Sequence, residues 1–301
     1  RAEAIKEDEP MPGAMRVVRV PGSGGGGGTP PANGQPVRRV VRGEPGGASP
    51  DAAEPLRRLV GRNPNDTTGN MGLEKVETLN GNIGLLEFSY FDPSNEAAKK
   101  ISDAMNTLAS TDALIIDLRR CRGGASNAIT LLMSYFFDKS IHLSDAYDRV
   151  LDEKMESWSL AEVPGKRYGQ KDVYILTSRF TFSAAEDISY TLKNLKRATI
   201  VGETTGGGAH PVRGRRLNEH FFVMVPFARY ISPVTQTNWE GVGVKPDVEA
   251  PAAHALKLAQ LTALKKLSAQ KHDAKTSAQL KTLIEELQKE LDGLRQEGAK
   301  S

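Results

Sequence analysis

The apolar run Val173-Tyr174-Ile175-Leu176 passes through Thr177–Asp187 into a helical pattern with Ala184, Ile188, Leu192 and Leu195 on one face, and a second apolar run, Ala198 to Val201, follows at once. A strand, a helix and another strand in such close succession leave room for parallel pairing through a helical crossover, and for little else. Ser183 then falls where the first strand hands over to the helix. A hydroxyl at that point faces the space beyond the sheet edge, beside backbone N–H groups that the first helical turn leaves unpaired. Two roles are open to it. Ser183-Ala184-Ala185-Glu186 reads as a capping box, with Ser at the N-cap and Glu at the third helical position. The same setting suits a nucleophile of acyl transfer.

The pattern repeats along the chain. Leu73 to Leu79, Asn80-Gly81 and Ile83 to Tyr90 read as strand, tight turn and strand. Asp92-Pro93-Ser94 opens a helix with the stripe Ala97, Ile101, Ala104, Met105 and Leu108. Ala113 to Asp117 is a continuous apolar strand of the kind buried on both faces, and Ala128 to Phe137 reads as a helix. The class is α/β with a substantial core. After Pro246-Asp247 two amphipathic helices are expected, Ala255 to Leu267 and Ser277 to Leu294. The second carries Leu280, Ile284, Leu287, Leu291 and Leu294, a seam suited to packing back on the domain and offering a surface for self-association.

Residues 1–70 differ in texture. They are rich in Gly, Pro and Arg, include the run Gly24 to Gly28, and read as a flexible segment in which Met15 to Val20 and Val37 to Val41 form a partial hairpin. The expected organisation is therefore a flexible segment over 1–70, an α/β domain over 71–250 and a helical tail over 251–301. Hydrophobic residues make up 39% of the chain, low enough that part of it builds no core. A net charge of +3 without a basic, aromatic-interleaved stripe does not indicate nucleic acid. The single cysteine, Cys121, excludes an internal disulfide and reads as buried packing. No apolar run approaches membrane-spanning length, and the first residues hold no signal-peptide core.

Three Gly-containing turns besides Ser183 can carry chemistry. Asp117 to Gly124 follows the buried strand, and Gly123-Gly124 can present backbone N–H groups to an anion. Gly202-Glu-Thr-Thr-Gly-Gly-Gly-Ala-His210-Pro has neither Walker spacing nor the dinucleotide fingerprint. Thr237 to Asp247 places Trp239 and Glu240 in a turn. The five His residues, at 142, 210, 220, 254 and 272, lack metal-ligand spacing with Cys or one another, and no metal or other cofactor is indicated.

Four of these motifs occur in the order and spacing of the tail-specific, or C-terminal-processing, serine peptidases: Asp117-Leu118-Arg119 with Gly123-Gly124, Ser183-Ala184-Ala185-Glu186, Val201-Gly202-Glu203-Thr204-Thr205, and Gly241-Val242-Gly243-Val244-Lys245-Pro246-Asp247. The chain most resembles the bacterial branch that is similar to interphotoreceptor retinoid-binding protein, over roughly residues 71–250. The resemblance implies a crotonase-like spiral of β-β-α units, a peptide or protein substrate, and a periplasmic or secreted setting. It implies Ser183 as nucleophile, with the N–H of Ala184 and that of Gly123 or Gly124 as the oxyanion hole. The family's lysine base falls at Gly208, so no Ser-Lys dyad is present. A related branch takes its base from an earlier His, where this chain has Ala14-Met15-Arg16-Val17, and a Glu near the last motif, matched by Glu240. The expected arrangement is thus Ser183 with His210 as base and Glu240 orienting it. Two alternatives stand beside this peptidase: an inactive relative binding a peptide or apolar ligand in the same cleft, and an interaction module working through the terminal segments.

Overall fold

A computed structural model describes residues 15–19, 69–270 and 272–298. Its central sheet has six strands in the order β12-β8-β7-β4-β3-β2. β2 (Leu73–Leu79) and β3 (Ile83–Phe88) form an antiparallel hairpin, whereas β3, β4 (Ala113–Asp117), β7 (Asp172–Thr177), β8 (Thr199–Gly202) and β12 (Val248–Glu249) run parallel. The hairpin turns at Gly81, whose φ of +83° and close approach to Leu264 exclude a side chain.

Period-two alternation divides the strands between two cores. Leu114, Ile116, Val173 and Ile175 face one cluster, where α1 (Asn95–Thr107), α2 (Ser126–Ser134) and α3 (Ala184–Asn194) bury their apolar stripes. Ala113, Ile115, Tyr174 and Leu176 face the other, covered by α4 (Ala252–Ser268), with Leu280 of α5 (Ala274–Gly298) packed beside Leu264 and Leu267. Ser94 caps α1, its hydroxyl accepting the Ala97 N–H at 3.2 Å, with Pro93 ahead of it holding the chain out of the helix.

A second, four-stranded sheet has the order β1-β6-β5-β11, from β1 (Met15–Arg19), β5 (His142–Asp148), β6 (Glu153–Trp158) and β11 (Arg229–Ile231). Here the hairpin expected near the amino end differs. Met15–Arg19 pairs antiparallel with Glu153–Trp158, and Val37 to Val41 lies outside the described residues. The edge of β6 is already ordered by β5 and so offers Met15–Arg19 a partner. A separate hairpin, β9 (Val212–Arg216) with β10 (Phe222–Pro226), completes the described strands.

Candidate active site

Ser183 is held at the elbow between β7 and α3 with φ +54° and ψ −121°, a backbone conformation that costs a non-glycine residue about 1–3 kcal/mol. The residue is exposed; its side chain sits in the capping-box position toward the Glu186 N–H, but that N–H donates to the Ser183 carbonyl at 2.8 Å and the hydroxyl makes no capping hydrogen bond of regular geometry. The other half of the capping box does form: the Glu186 carboxylate accepts the Ser183 N–H at 2.9 Å. The strained elbow therefore turns the Ser183 side chain outward while its backbone stays tied to the helix.

The Gly123-Gly124 turn lies directly against this elbow. Gly123 has φ +103°, and a Cβ there would stand 2.8 Å from Ser183 Cβ and 3.0 Å from the Ala184 nitrogen. Gly124, at φ +139°, passes so close to Phe91 that a Cβ would lie 2.2 Å from its carbonyl oxygen. Phe91 N–H donates to Gly123 at 2.9 Å and Ala125 N–H donates to Phe91 at 2.8 Å, which pins the turn to the chain after β3. Among the described residues, no hydrogen bond uses the N–H of Gly123, Gly124 or Ala184. Cys121 below them is fully buried, and burial pushes its thiol up to about 12, so it is an inert packing group.

Glu186 joins the elbow to the next loop. One carboxylate oxygen accepts the Thr205 hydroxyl at 2.5 Å and the Gly207 N–H at 2.6 Å. The other takes the Gly208 N–H at 2.8 Å together with that of Ser183. Four donors on one buried carboxylate leave it fully satisfied as an anion. The Phe182 ring fills the remaining space, since a Cβ on Gly206 or Gly208 would enter it. The loop is thereby fixed beside Ser183, and His210 stands two residues past Gly208.

Glu240 meets the same loop from the other side. Its carboxylate accepts the Ala209 N–H at 2.6 Å and the His210 N–H at 3.0 Å, while His210 Nδ1 lies 3.8 Å from the same oxygen. Glu240 thus hydrogen-bonds the His210 backbone, while the ring stays beyond hydrogen-bond distance of its carboxylate. The Trp239 ring is buried against Tyr190 and Tyr230, with centroids 5.1 and 4.9 Å away, and Gly241 N–H donates to Gly207 at 2.9 Å. The structure therefore gathers Ser183, Ala184, Gly123 and Gly124 at one point and His210 with Glu240 on the adjoining loop. Among the described residues the Ser183 hydroxyl makes no hydrogen bond to His210.

One buried group escaped the sequence reading. Asp187 of α3 is enclosed behind the elbow, accepting the Tyr230 hydroxyl and, at 3.1 Å, the Thr191 hydroxyl. Burial raises its carboxyl to about 6 against these two donors, and burial together with the Asp187 charge pushes the Tyr230 phenol well above its ordinary value. Only an Asp one position past Glu186 could have hinted at this, and acidic residues are ordinary in a first helical turn. Elsewhere, His142, Asp145 and Glu156 bring their ligand atoms within 4.8 Å of one another. Lys154 already stands between the two carboxylates at 3.3 and 3.2 Å, and the Trp158 indole N–H donates to Glu156, so the cluster reads as an ion-pair network.

A strand-to-helix serine at positive φ thus lies against a glycine turn with unpaired N–H groups, and His210 and Glu240 meet beside it. The chain belongs to peptidase family S41, whose family model matches residues 82–250. It is 25% identical over 171 residues to the chloroplastic carboxyl-terminal-processing peptidase 2 of Arabidopsis thaliana, covering 56% of this chain and 32% of that relative. The chain thus spans about a third of the length of that curated relative. Among solved structures, a candidate peptidase from Parabacteroides merdae is similar with a TM-score of 0.53 at 19% identity, over 74% of this chain and 71% of the other. A lipoprotein from Streptococcus agalactiae is similar with a TM-score of 0.52 at 17% identity, over 64% and 69%. These two likenesses concern the mixed α/β fold. No helix among the described residues is long and apolar enough to cross a membrane.

Proposed function

We propose that the chain is a serine peptidase that hydrolyses extended or C-terminal peptide segments, on a crotonase-like spiral of β-β-α units. The observation that carries this is the exposed Ser183 at φ +54°, strained at a strand-to-helix elbow with its hydroxyl unused for capping. In the reaction Ser183 Oγ attacks the scissile carbonyl carbon and His210 takes the hydroxyl proton. The carbonyl oxygen, now anionic, lies toward the N–H groups of Ala184 and of Gly123 or Gly124. His210 returns the proton to the departing amine, and water then releases the acyl group by the same route in reverse. Glu240 fixes the His210 backbone and keeps a carboxylate oxygen 3.8 Å from its ring. Each oxyanion donor is worth about 3 kcal/mol of transition-state stabilisation.

The test is incubation of wild type, Ser183→Ala and His210→Ala with a mixed peptide library, read by mass spectrometry. Cleavage by the wild type, abolished in Ser183→Ala and reduced about 100-fold or more in His210→Ala, is expected. Cleavage that persists in Ser183→Ala defeats the assignment. A second reading, an inactive relative that only binds peptides, is favoured by the absence of a Ser183–His210 hydrogen bond. Saturable binding without any cleavage, unchanged in His210→Ala, selects it.

A further inference from the structure

A cleft of about 690 Å³ opens between the β5–β6 turn, the end of β11 and the β9–β10 hairpin. Four arginines line it: Arg149 from the turn, Arg213 and Arg215 from β9, and Arg229 from β11. None of the four guanidinium groups makes a hydrogen bond or ion pair among the described residues; that of Arg213 stacks at 3.9 Å on the Phe227 ring. The one carboxylate lining the cleft, Asp148, is occupied with its own turn, accepting the Val150 and Leu151 N–H groups at 2.9 and 3.2 Å. Apolar side chains lie among the arginines, with Val150 90% and Leu151 59% exposed. Several unneutralised guanidinium groups around one cavity repel one another, and an anionic occupant relieves that repulsion.

The spacing indicates what kind of anion. Arg213 and Arg215 are two apart on β9 and so share a face, with Val225 and Val223 as their cross-strand partners on β10. The face repeats cation and apolar group along one strand, matching an extended chain that carries carboxylates at alternate positions. β11 is the edge strand of its sheet, but Asn238 already donates to its Tyr230 carbonyl at 2.7 Å, so the match to such a chain rests on the side chains of β9 and not on backbone pairing. Nucleic acid fits less well, because Phe227 is the one aromatic ring besides Tyr147 lining the cleft and Arg213 already covers a face of it. The hairpin also starts two residues past His210, and its base is closed by the Phe227 N–H donating to Pro211 at 3.0 Å.

We propose that this cleft binds acidic, extended segments of the polypeptide substrate and gives the enzyme a preference for acidic chains. What the binding serves rests on the peptidase reading; the binding itself does not. The experiment uses the whole 301-residue chain with Ser183→Ala, to prevent cleavage during the titration, and fluorescein-labelled peptides of alternating glutamate and valine, alternating lysine and valine, and alternating serine and valine. Anisotropy should show tight binding of the glutamate peptide alone, weakening as salt is raised. Arg213→Ser with Arg215→Ser should weaken it about 100-fold, on the order of tenfold for each guanidinium–carboxylate pair removed. Arg149→Ser, on a different element, should weaken it about tenfold and guards against a local misfolding of the hairpin. Equal binding of the glutamate and serine peptides, or unchanged binding by all arginine variants, overturns the proposal. So does a labelled single-stranded oligonucleotide that binds more tightly than the glutamate peptide. If the wild type cleaves no peptide yet the arginine-dependent binding is seen, the peptidase reading fails and the cleft stands. If it cleaves acidic and neutral peptides alike, the reverse holds.

Discussion

At the scale of single residues, Ser183 decides between a cap and a nucleophile. A serine kept for capping should contribute stability through its hydroxyl, and removing it should cost about 1 kcal/mol. Here that hydroxyl makes no capping bond, while the backbone carries the strain of a positive φ. Ser183→Gly is therefore expected to leave stability unchanged or raise it by about 1 kcal/mol while abolishing activity, as urea denaturation and a peptide-cleavage assay can show. Destabilisation by more than about 1 kcal/mol would restore the capping reading. Glu186 is the opposite case. Glu186→Gln replaces an acceptor of four donors by a group that must itself donate, and should lower unfolding free energy by about 3 kcal/mol. Denaturation curves that superimpose on the wild type would contradict the network. The serine and the glutamate were legible in the sequence as a box. That Glu186 also carries the 205–208 loop was not, since those donors come from a segment 19–22 residues away.

At the scale of elements, the packing of α3 against β11 makes stability depend on pH. Asp187 titrates near 6 in the folded protein against an ordinary value of 3.8. A raised carboxyl binds its proton more firmly when folded, so its stabilising contribution is complete below about pH 4 and is lost as pH rises to about 6. Relative to Asp187→Asn, the wild type should lose up to about 3 kcal/mol between pH 4 and pH 7. Urea midpoints of both proteins at these two pH values check this, and parallel pH dependences would contradict it. The elements around that junction divide by how they announce themselves. β4 and β7 bury both faces and read as unbroken apolar runs, and α1 and α3 carry a clear stripe. β6, Glu-Lys-Met-Glu-Ser-Trp, is half-buried along its length, and β9, Val-Arg-Gly-Arg-Arg, is mostly exposed. Neither has a period-two apolar pattern, so the second sheet and the hairpin appear only once the chain is folded.

At the scale of the whole molecule, two cores fix one parallel sheet, and the loops at its strand ends converge on a single edge. The end of β4 supplies Gly123 and Gly124, the end of β7 supplies Ser183, and the end of β8 leads into the loop of His210, the arrangement by which open α/β sheets build sites. That convergence was readable as motifs in order, because those after β4, β7 and β8 each sit at the close of a strong apolar strand. Whether the base works was not readable, because it depends on where the loop of His210 folds relative to Ser183, which no motif sets. The most direct measurement is the intact mass of the protein after exposure to a serine-reactive fluorophosphonate. A single adduct, mapped to Ser183 by peptide mass spectrometry, slowed in His210→Ala and absent in Ser183→Ala, is predicted. No adduct on the wild type, or an equal one on Ser183→Ala, would contradict the account.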